Sequence, residues 1–464
     1  MTASTTIASA NKIAEQPESF MERWLIMPKI LYFLLNMYVY GFHSVMSYFF
    51  LQEWDLTYYM LGYASSVIVT NFFGAMVWTS LADKTGRYKT IIIASVIPYT
   101  VVALAILYPV FTDPSMWFYR NIYVFFGLAL FNFFLSAAFP LLDAQVMGMM
   151  AANPKISKEQ FNNQRMFGAI GHLFATLLTM ILYERAGKDN RKIAQGIFQI
   201  CVSLLFIFAV WLGVSDAKPV KGGHHGHHGG HKSADKETVA TPKNPVMACL
   251  VNPSFMFFML FVGASGVVRA ITTSFQKPIA LAMSNGKADK ASYLDIGRTA
   301  SEVGVYLIAK YIKNALGIYW VLAFSQLTGI ARLWGYGLLE IQSKFAYWIA
   351  CGLELLKGFN SGLISSSAIP IASNLAPAGC ESTAQGLYSG NYSGLAMALG
   401  NILGGAIMHY LYTSRENQVK DAQIMFNWIS WGGFVITLLL MAKFIFVDRV
   451  MGIPGFPRRH SFHK

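Results

Sequence analysis

The segment Leu81-Ala82-Asp83-Lys84-Thr85-Gly86-Arg87-Tyr88-Lys89 joins two apolar runs, 56–82 and 90–111. As a helix, roughly 20 apolar residues cross about 30 Å of hydrocarbon, and both runs are long enough. A connection of about seven polar residues between two such runs must be a tight turn at one membrane face. Gly86 permits the turn and the Asp83 carboxylate can accept from the start of the next helix. Three cations beside two membrane ends argue that this face is cytoplasmic.

Composition agrees, because 55% hydrophobic and 13% charged residues over 464 positions leave too little polar surface for a soluble globule. Twelve spans are expected near 28–51, 57–81, 90–111, 120–147, 166–184, 195–214, 252–280, 292–313, 317–338, 345–374, 385–412 and 425–447. The expected fold is all-α, with twelve transmembrane helices in two six-helix bundles. The polar first 27 residues show no cleavage site, so the first span is expected to act as an uncleaved signal anchor. The net charge of +13 resides in loops, with clusters at 84–89, 155–165, 218–243 and 443–464, and does not point to nucleic acid. That side carries about twice the cations of the other. Both termini are therefore expected inside, although the short outer loop at 184–192 carries Arg185, Lys188, Arg191 and Lys192. The four cysteines, Cys201, Cys249, Cys351 and Cys380, have no paired spacing, which argues against a disulfide framework or a zinc site.

Polar, Gly-rich residues 215–244 separate the sixth and seventh spans. The expected organisation is a tail at 1–27, a bundle at 28–214, a cytoplasmic linker at 215–251, a second bundle at 252–447 and a tail at 448–464. His224, His225, His227, His228 and His231 in the linker are the one set of metal-ligand candidates. Their flexible Gly spacing makes a disordered linker the expected reading, with no metal site and no cofactor. The halves resemble distant copies: 310–317 repeats the short basic turn of 84–89, and Pro140 and Pro370 fall in comparable places, where each permits a kink.

Ionisable groups at membrane depth cost about 2.5–3.5 kcal/mol each at a helix centre, so they mark function or pairing. They are Asp143, Arg269, Arg298, Glu302, Arg332, Glu354 and Lys357, with Arg165 at the threshold of its span. Arg298 and Glu302 are four apart, and Glu354 and Lys357 three apart, so each couple shares a helix face. A static ion pair is the competing reading for every one of them. Proton coupling requires a carboxylate whose proton affinity rises in an apolar setting and falls when a cation approaches, which makes Glu302 and Glu354 candidates. Asn360, Gln326, Gln385, Asn391 and the aromatics Tyr38, Tyr40 and Trp334 are candidates for holding a polar solute, as amides and rings do.

The 81–89 segment resembles the signature loop of the major facilitator superfamily, roughly G-x-L-A-D-R-x-G-R-x-K, with Thr79 where the first Gly is usual. Asp83, Gly86, Arg87 and Lys89 would then form its gating latch. Pro140-Leu141-Leu142-Asp143-Ala144, followed by Arg165-Met166-Phe167-Gly168, resembles the branch holding lactose-permease-like and nucleoside–proton symporters. Ser301-Glu302-Val303, Arg332, Glu354-Leu355-Leu356-Lys357-Gly358 and Thr383-Ala384-Gln385-Gly386 follow the same order. The resemblance implies that Asp143 and Arg165 bind substrate, and that Glu302, Arg332, Glu354 and Lys357 couple a proton. Arg298 joins the coupling set through Glu302, while Asn360, Gln385, Arg269 and Trp334 join the substrate set. Lys357 stands where that branch commonly has His, and lysine, ionising near pH 10.4, is a poor shuttle unless desolvated. An anionic substrate is one consequence.

The expected function is secondary transport of a small polar solute, sugar or nucleoside in type, by alternating access with proton symport. A uniporter or organic-anion carrier is the alternative, and a non-transporting receptor or scaffold the second. No phosphate loop or nucleophile elbow points to an enzyme. The expected partners are solute, proton and lipid, with the chain a monomer in the plasma membrane or an internal one.

Overall fold

In a computed structural model, the described residues are 25–52, 54, 56, 58–108, 110–111, 113–152, 161–216, 245–283, 288–377, 381–412 and 417–451. The two tails, the linker histidines, Cys380 and the side chains of Asp83 and Lys84 lie outside them. Among the described residues there is no β-strand. The helices are α1 (Ile26–Gln52), α2 (Tyr58–Ser66), α3 (Val69–Thr85), α4 (Tyr88–Leu107), α5 (Trp117–Leu135), α6 (Ala138–Ala152), α7 (Phe161–Arg185) and α8 (Gly187–Gly213). After the linker come α9 (Pro245–Val251), α10 (Pro253–Met283), α11 (Ala288–Leu316), α12 (Ile318–Leu338), α13 (Ala346–Leu375), α14 (Glu381–Gly390), α15 (Ala396–Leu411) and α16 (Gln418–Ala442).

Among the described residues, eight stretches are long and apolar enough to cross a membrane. The expected spans at α1, α11, α12 and α13 fall below that threshold, α11 because charges are concentrated on it and α13 because Ser, Asn and Gly residues join Glu354 and Lys357 in lowering its hydropathy. Outward-facing Phe126, Leu204, Phe208, Leu260 and Leu439 are all more than half exposed, an apolar perimeter suited to lipid and not to water.

Local chemistry explains the joints. Gly86, at φ +70°, closes α3 in the left-handed region, and its amide donates to Ala82 O. Gly317 makes the corresponding turn in the second half at φ +87°. The carboxylate that serves the start of α4 is Asp216, from beyond the end of α8, which accepts from the Thr90 amide and hydroxyl, both at 3.2 Å. The fourth expected span breaks between α5 and α6. Pro140 lacks the amide that would bond Ser136 O, and its ring crowds that carbonyl. The expected outer loop at 184–192 is corrected to a single turn at Gly187, φ +69°, with α8 starting there. Lys192 lies within α8, and its cation rests over the Phe49 ring at 5.8 Å. A π turn at Asn391–Leu395 joins α14 to α15.

One continuous core, from Leu25 to Val214, lies within the first half, and the other buried clusters lie almost wholly beyond the linker. The halves meet where α2 lies on α15 and α7 on α11. There Gly62 has no room for a Cβ against Phe275 and the Gly405 backbone, Asn401 Nδ2 donates to Ser65 O at 3.1 Å, and Tyr59 packs on His409 and Tyr412. This end is shut by close helix contact.

Candidate functional site

Between the halves lies a cavity of about 780 Å³, walled by α1, α3, α6 and α7 on one side and α10 to α14 on the other. It extends away from the shut end towards the 81–89 turn, where Thr79, Tyr88, Met147, Phe161 and Val246 line it. Volumes of about 300–1,000 Å³ suit small-molecule ligands.

The first-half wall presents Asp143 on α6 and Arg165 on α7. Tyr32 Oη donates to Asp143 Oδ1 at 2.5 Å, and Arg165 Nη2 stands 3.8 Å from Oδ2. The Pro140 break sets the turn of α6 that carries Asp143, so the kink and the acid belong to one local device.

Opposite, α11 rides directly on α13, because a Cβ at Gly358 would collide with Ser301 Oγ and Arg298 O. Ser301 Oγ donates to Leu355 O at 2.9 Å across that contact. The approach brings Arg298 and Lys357 to the same acid: Asp295 Oδ1 is 4.0 Å from Arg298 Nη1 and 3.9 Å from Lys357 Nζ. Glu302 lies 3.8 Å from Arg298 Nε and accepts from Tyr306 Oη at 3.4 Å. Arg298 Nη1 also reaches His172 Nε2 of α7 at 3.4 Å, and Tyr40 stacks on that imidazole with centroids 3.7 Å apart.

Glu354 is buried behind this wall, 1% exposed. Its Oε1 accepts from Arg332 Nη2 at 2.7 Å, Arg332 Nε at 3.2 Å and Tyr336 Oη at 2.7 Å. Lys357 Nζ stands 3.8 Å from Oε2, and Gln276 Nε2 donates to Tyr336 Oη at 3.1 Å. Arg269 on α10 has no carboxylate within ion-pair distance among the described residues, and its guanidinium lies over the Tyr392 ring, 4.7 Å from the centroid. The π turn supplies Tyr392 at that position.

Of the residues expected from sequence, Asp143, Arg165, Arg269, Asn360 and Gln385 line the cavity, as do Arg298, Glu302, Arg332 and Lys357. Asn360 is partly committed, donating to Ser325 O at 2.6 Å. Glu354 reaches the cavity only through its cations. The placement of Trp334 is corrected: it is 40% exposed on the perimeter, edge-to-face with Trp431 at 5.0 Å, because its side of α12 faces away from the cavity. Tyr38 is also in the core, between Tyr99 and Phe206. Lys89 is half-buried at the start of α4, and Arg87 is exposed, with no ion pair among the described residues. Sequence reasoning missed Tyr32, Asp295, Tyr306 and Tyr336. A signal existed only for Asp295, which is three residues before Arg298 on one helix face.

The sequence matches the family described as MFS_1 like over residues 9–415. No curated protein matches it. In fold it is similar to the crystal structure of the nucleoside transporter NupG, with TM-score 0.68 and 16% identity over 92% of this chain and 99% of that one. It is also similar to a bacterial homologue of the human lysosomal transporter Spinster, inward-facing and unoccupied, with TM-score 0.62 and 12% identity over 94% and 98%. An auto-inhibited POT family peptide transporter gives TM-score 0.59 and 14% identity over 95% and 100%.

Proposed function

The chain belongs to the MFS_1 like family of the major facilitator superfamily, and on that footing we propose that it carries a small polar solute, sugar or nucleoside in type, together with a proton. The observation behind this reading is a largely apolar cavity studded with charged side chains, between two helix groups, shut at the α2–α15 end and extending to the other. That geometry is one of the two states alternating access requires. Helices α1 to α16 are read as twelve crossings in two six-helix bundles, with the division of the core in support. Both termini and the 81–89 turn are placed in the cytoplasm, so the cavity faces inward, and the chain works as a monomer.

Asp143 and Arg165 hold substrate from the first half, and Asn360 and Gln385 from the second. Glu302 carries the proton. Glu354 already accepts three short donors and Asp143 one at 2.5 Å, whereas the contacts of Glu302 are 3.4 and 3.8 Å and it faces the cavity directly. Its weaker hold leaves a carboxylate that can exchange a cation partner for a proton as the helices move. Arg298 takes up the vacated position towards Asp295, and the Arg332–Glu354–Lys357 group braces α12 against α13.

Proteoliposome uptake of a panel of sugars and nucleosides, with and without an imposed pH gradient, tests this. Inside-alkaline liposomes should accumulate a panel member, and Glu302→Gln should abolish accumulation while sparing exchange. Accumulation unchanged by Glu302→Gln removes that residue from coupling, and uptake indifferent to the gradient makes the protein a uniporter.

A further inference from the structure

Three cavity-lining carboxylates, Asp143, Asp295 and Glu302, and Glu354 buried behind the wall face five cations, Arg165, Arg269, Arg298, Arg332 and Lys357. The excess is localised. Arg165 pairs with Asp143, Arg298 with Asp295 and Glu302, Arg332 with Glu354, and Lys357 with Asp295 and Glu354. Arg269 alone, among these five, has no carboxylate within ion-pair distance among the described residues, and its charged electrostatic neighbour there is another cation, Arg298. The Tyr392 ring under the guanidinium and a hydrogen bond to that side chain orient Arg269, and one such bond leaves most of its five N–H donors to bind. A second orphan lies in the same wall. Gln326 on α12 is 2% exposed, and neither atom of its amide has a hydrogen-bond partner.

A static structural arginine at this depth would be expected to have a carboxylate, as the other four cations do. We propose that Arg269 is an anion subsite, and that the solute this protein carries bears one carboxylate or phosphate group docked on its guanidinium. With Glu302 ionised, one such anion offsets the surplus cation; with Glu302 protonated, the anion is held more strongly still. A sugar or nucleoside skeleton still meets Asp143, Asn360 and Gln385, so the inference rests on the transport reading and narrows its cargo to acids or monophosphates of that size. Arginine suits both anions, since its planar fork matches two oxygens at once.

The test uses the purified full-length protein in lipid nanodiscs and three matched pairs: glucose with glucuronate, uridine with uridine 5′-monophosphate, and nicotinamide with nicotinate. Binding is read by isothermal titration, and transport of the same compounds in proteoliposomes. In at least one pair the anion should bind about 30-fold or more tighter than its neutral partner, the loss typical of stranding one member of a buried charge pair. Arg269→Gln should erase that preference, and Arg269→Lys, which keeps the charge over Tyr392, should retain part of it. Glucuronate or nicotinate responding without the nucleotide identifies a carboxylate, and the reverse a phosphate; either supports the subsite. Equal affinity within every pair, or a preference that survives Arg269→Gln in protein that elutes as the wild type does, overturns it while the transport reading stands. If no compound is transported by the wild-type protein, the transport reading falls and the subsite with it.

Discussion

Glu354→Gln is the sharpest test of how the second half is held together. The substitution keeps shape and one acceptor but removes the charge that faces Arg332 at 2.7 Å and Lys357 at 3.8 Å. With an effective dielectric of about 20, those separations correspond to attractions of roughly 6 and 4 kcal/mol. Desolvation offsets most of that while both partners are present, but not when one is removed. Stranding a buried cation costs about 3–5 kcal/mol, so Glu354→Gln should destabilise the protein by that amount. Arg332→Gln should cost less, because Glu354 keeps Lys357 and the Tyr336 hydroxyl. The double variant should cost clearly less than the two singles together, with a coupling of about 2 kcal/mol. Reversible unfolding in mixed micelles, titrated with dodecyl sulfate and followed by tryptophan fluorescence, gives all three values. Additivity to within about 0.5 kcal/mol would show that the two side chains act independently, and would refute the bracing role.

Asp216→Ala removes an acceptor from the first turn of α4 and should lower stability by about 1 kcal/mol in the same titration, while Asp216→Asn should recover part of it. Gly358→Val forces α11 off α13 and should cost at least 1–3 kcal/mol, visible as loss of monodisperse protein on size exclusion. Gly62→Leu places a side chain where Phe275 and Gly405 now pack, and should increase thiol labelling of a cysteine introduced beside Tyr59; unchanged labelling contradicts a mobile closed end. Deleting residues 222–232 should leave transport unchanged, and zinc-dependent uptake lost with the deletion would give the histidines a role.

Much of the site was legible because charge in a membrane is expensive. Asp143, Arg165, Glu302 and Arg332 stand out of apolar helices for that reason, and all four line the cavity. Tyrosines carry no such signal. Tyr32 and Tyr336 donate to acids at 2.5 and 2.7 Å, yet in sequence they look like Tyr38, which is only packed. Trp334 shows the reverse error, since a stacking platform and a lipid-facing ring have the same composition. The cap from Asp216 to Thr90 joins residues 126 apart, a separation that no local pattern encodes. Helix breaks were legible where proline made them, as at Pro140, and not at Asn391–Leu395, where no proline or unusual composition marks the π turn.

That π turn is a phase shift within the eleventh expected span. Five residues per hydrogen-bonded step in place of four insert one extra residue into the helical count, about 100° of rotation. Upstream of it, Gln385 and Tyr388 point into the cavity, as Tyr392 does within it; downstream, Gly400, Gly404 and Gly405 lie against α10 and α2. A regular helix with the same sequence could satisfy one of these sets only by turning the other away. The single surplus residue lets one rod serve as pore wall at one end and hinge plate at the other, so its length, and not only its side chains, is under constraint.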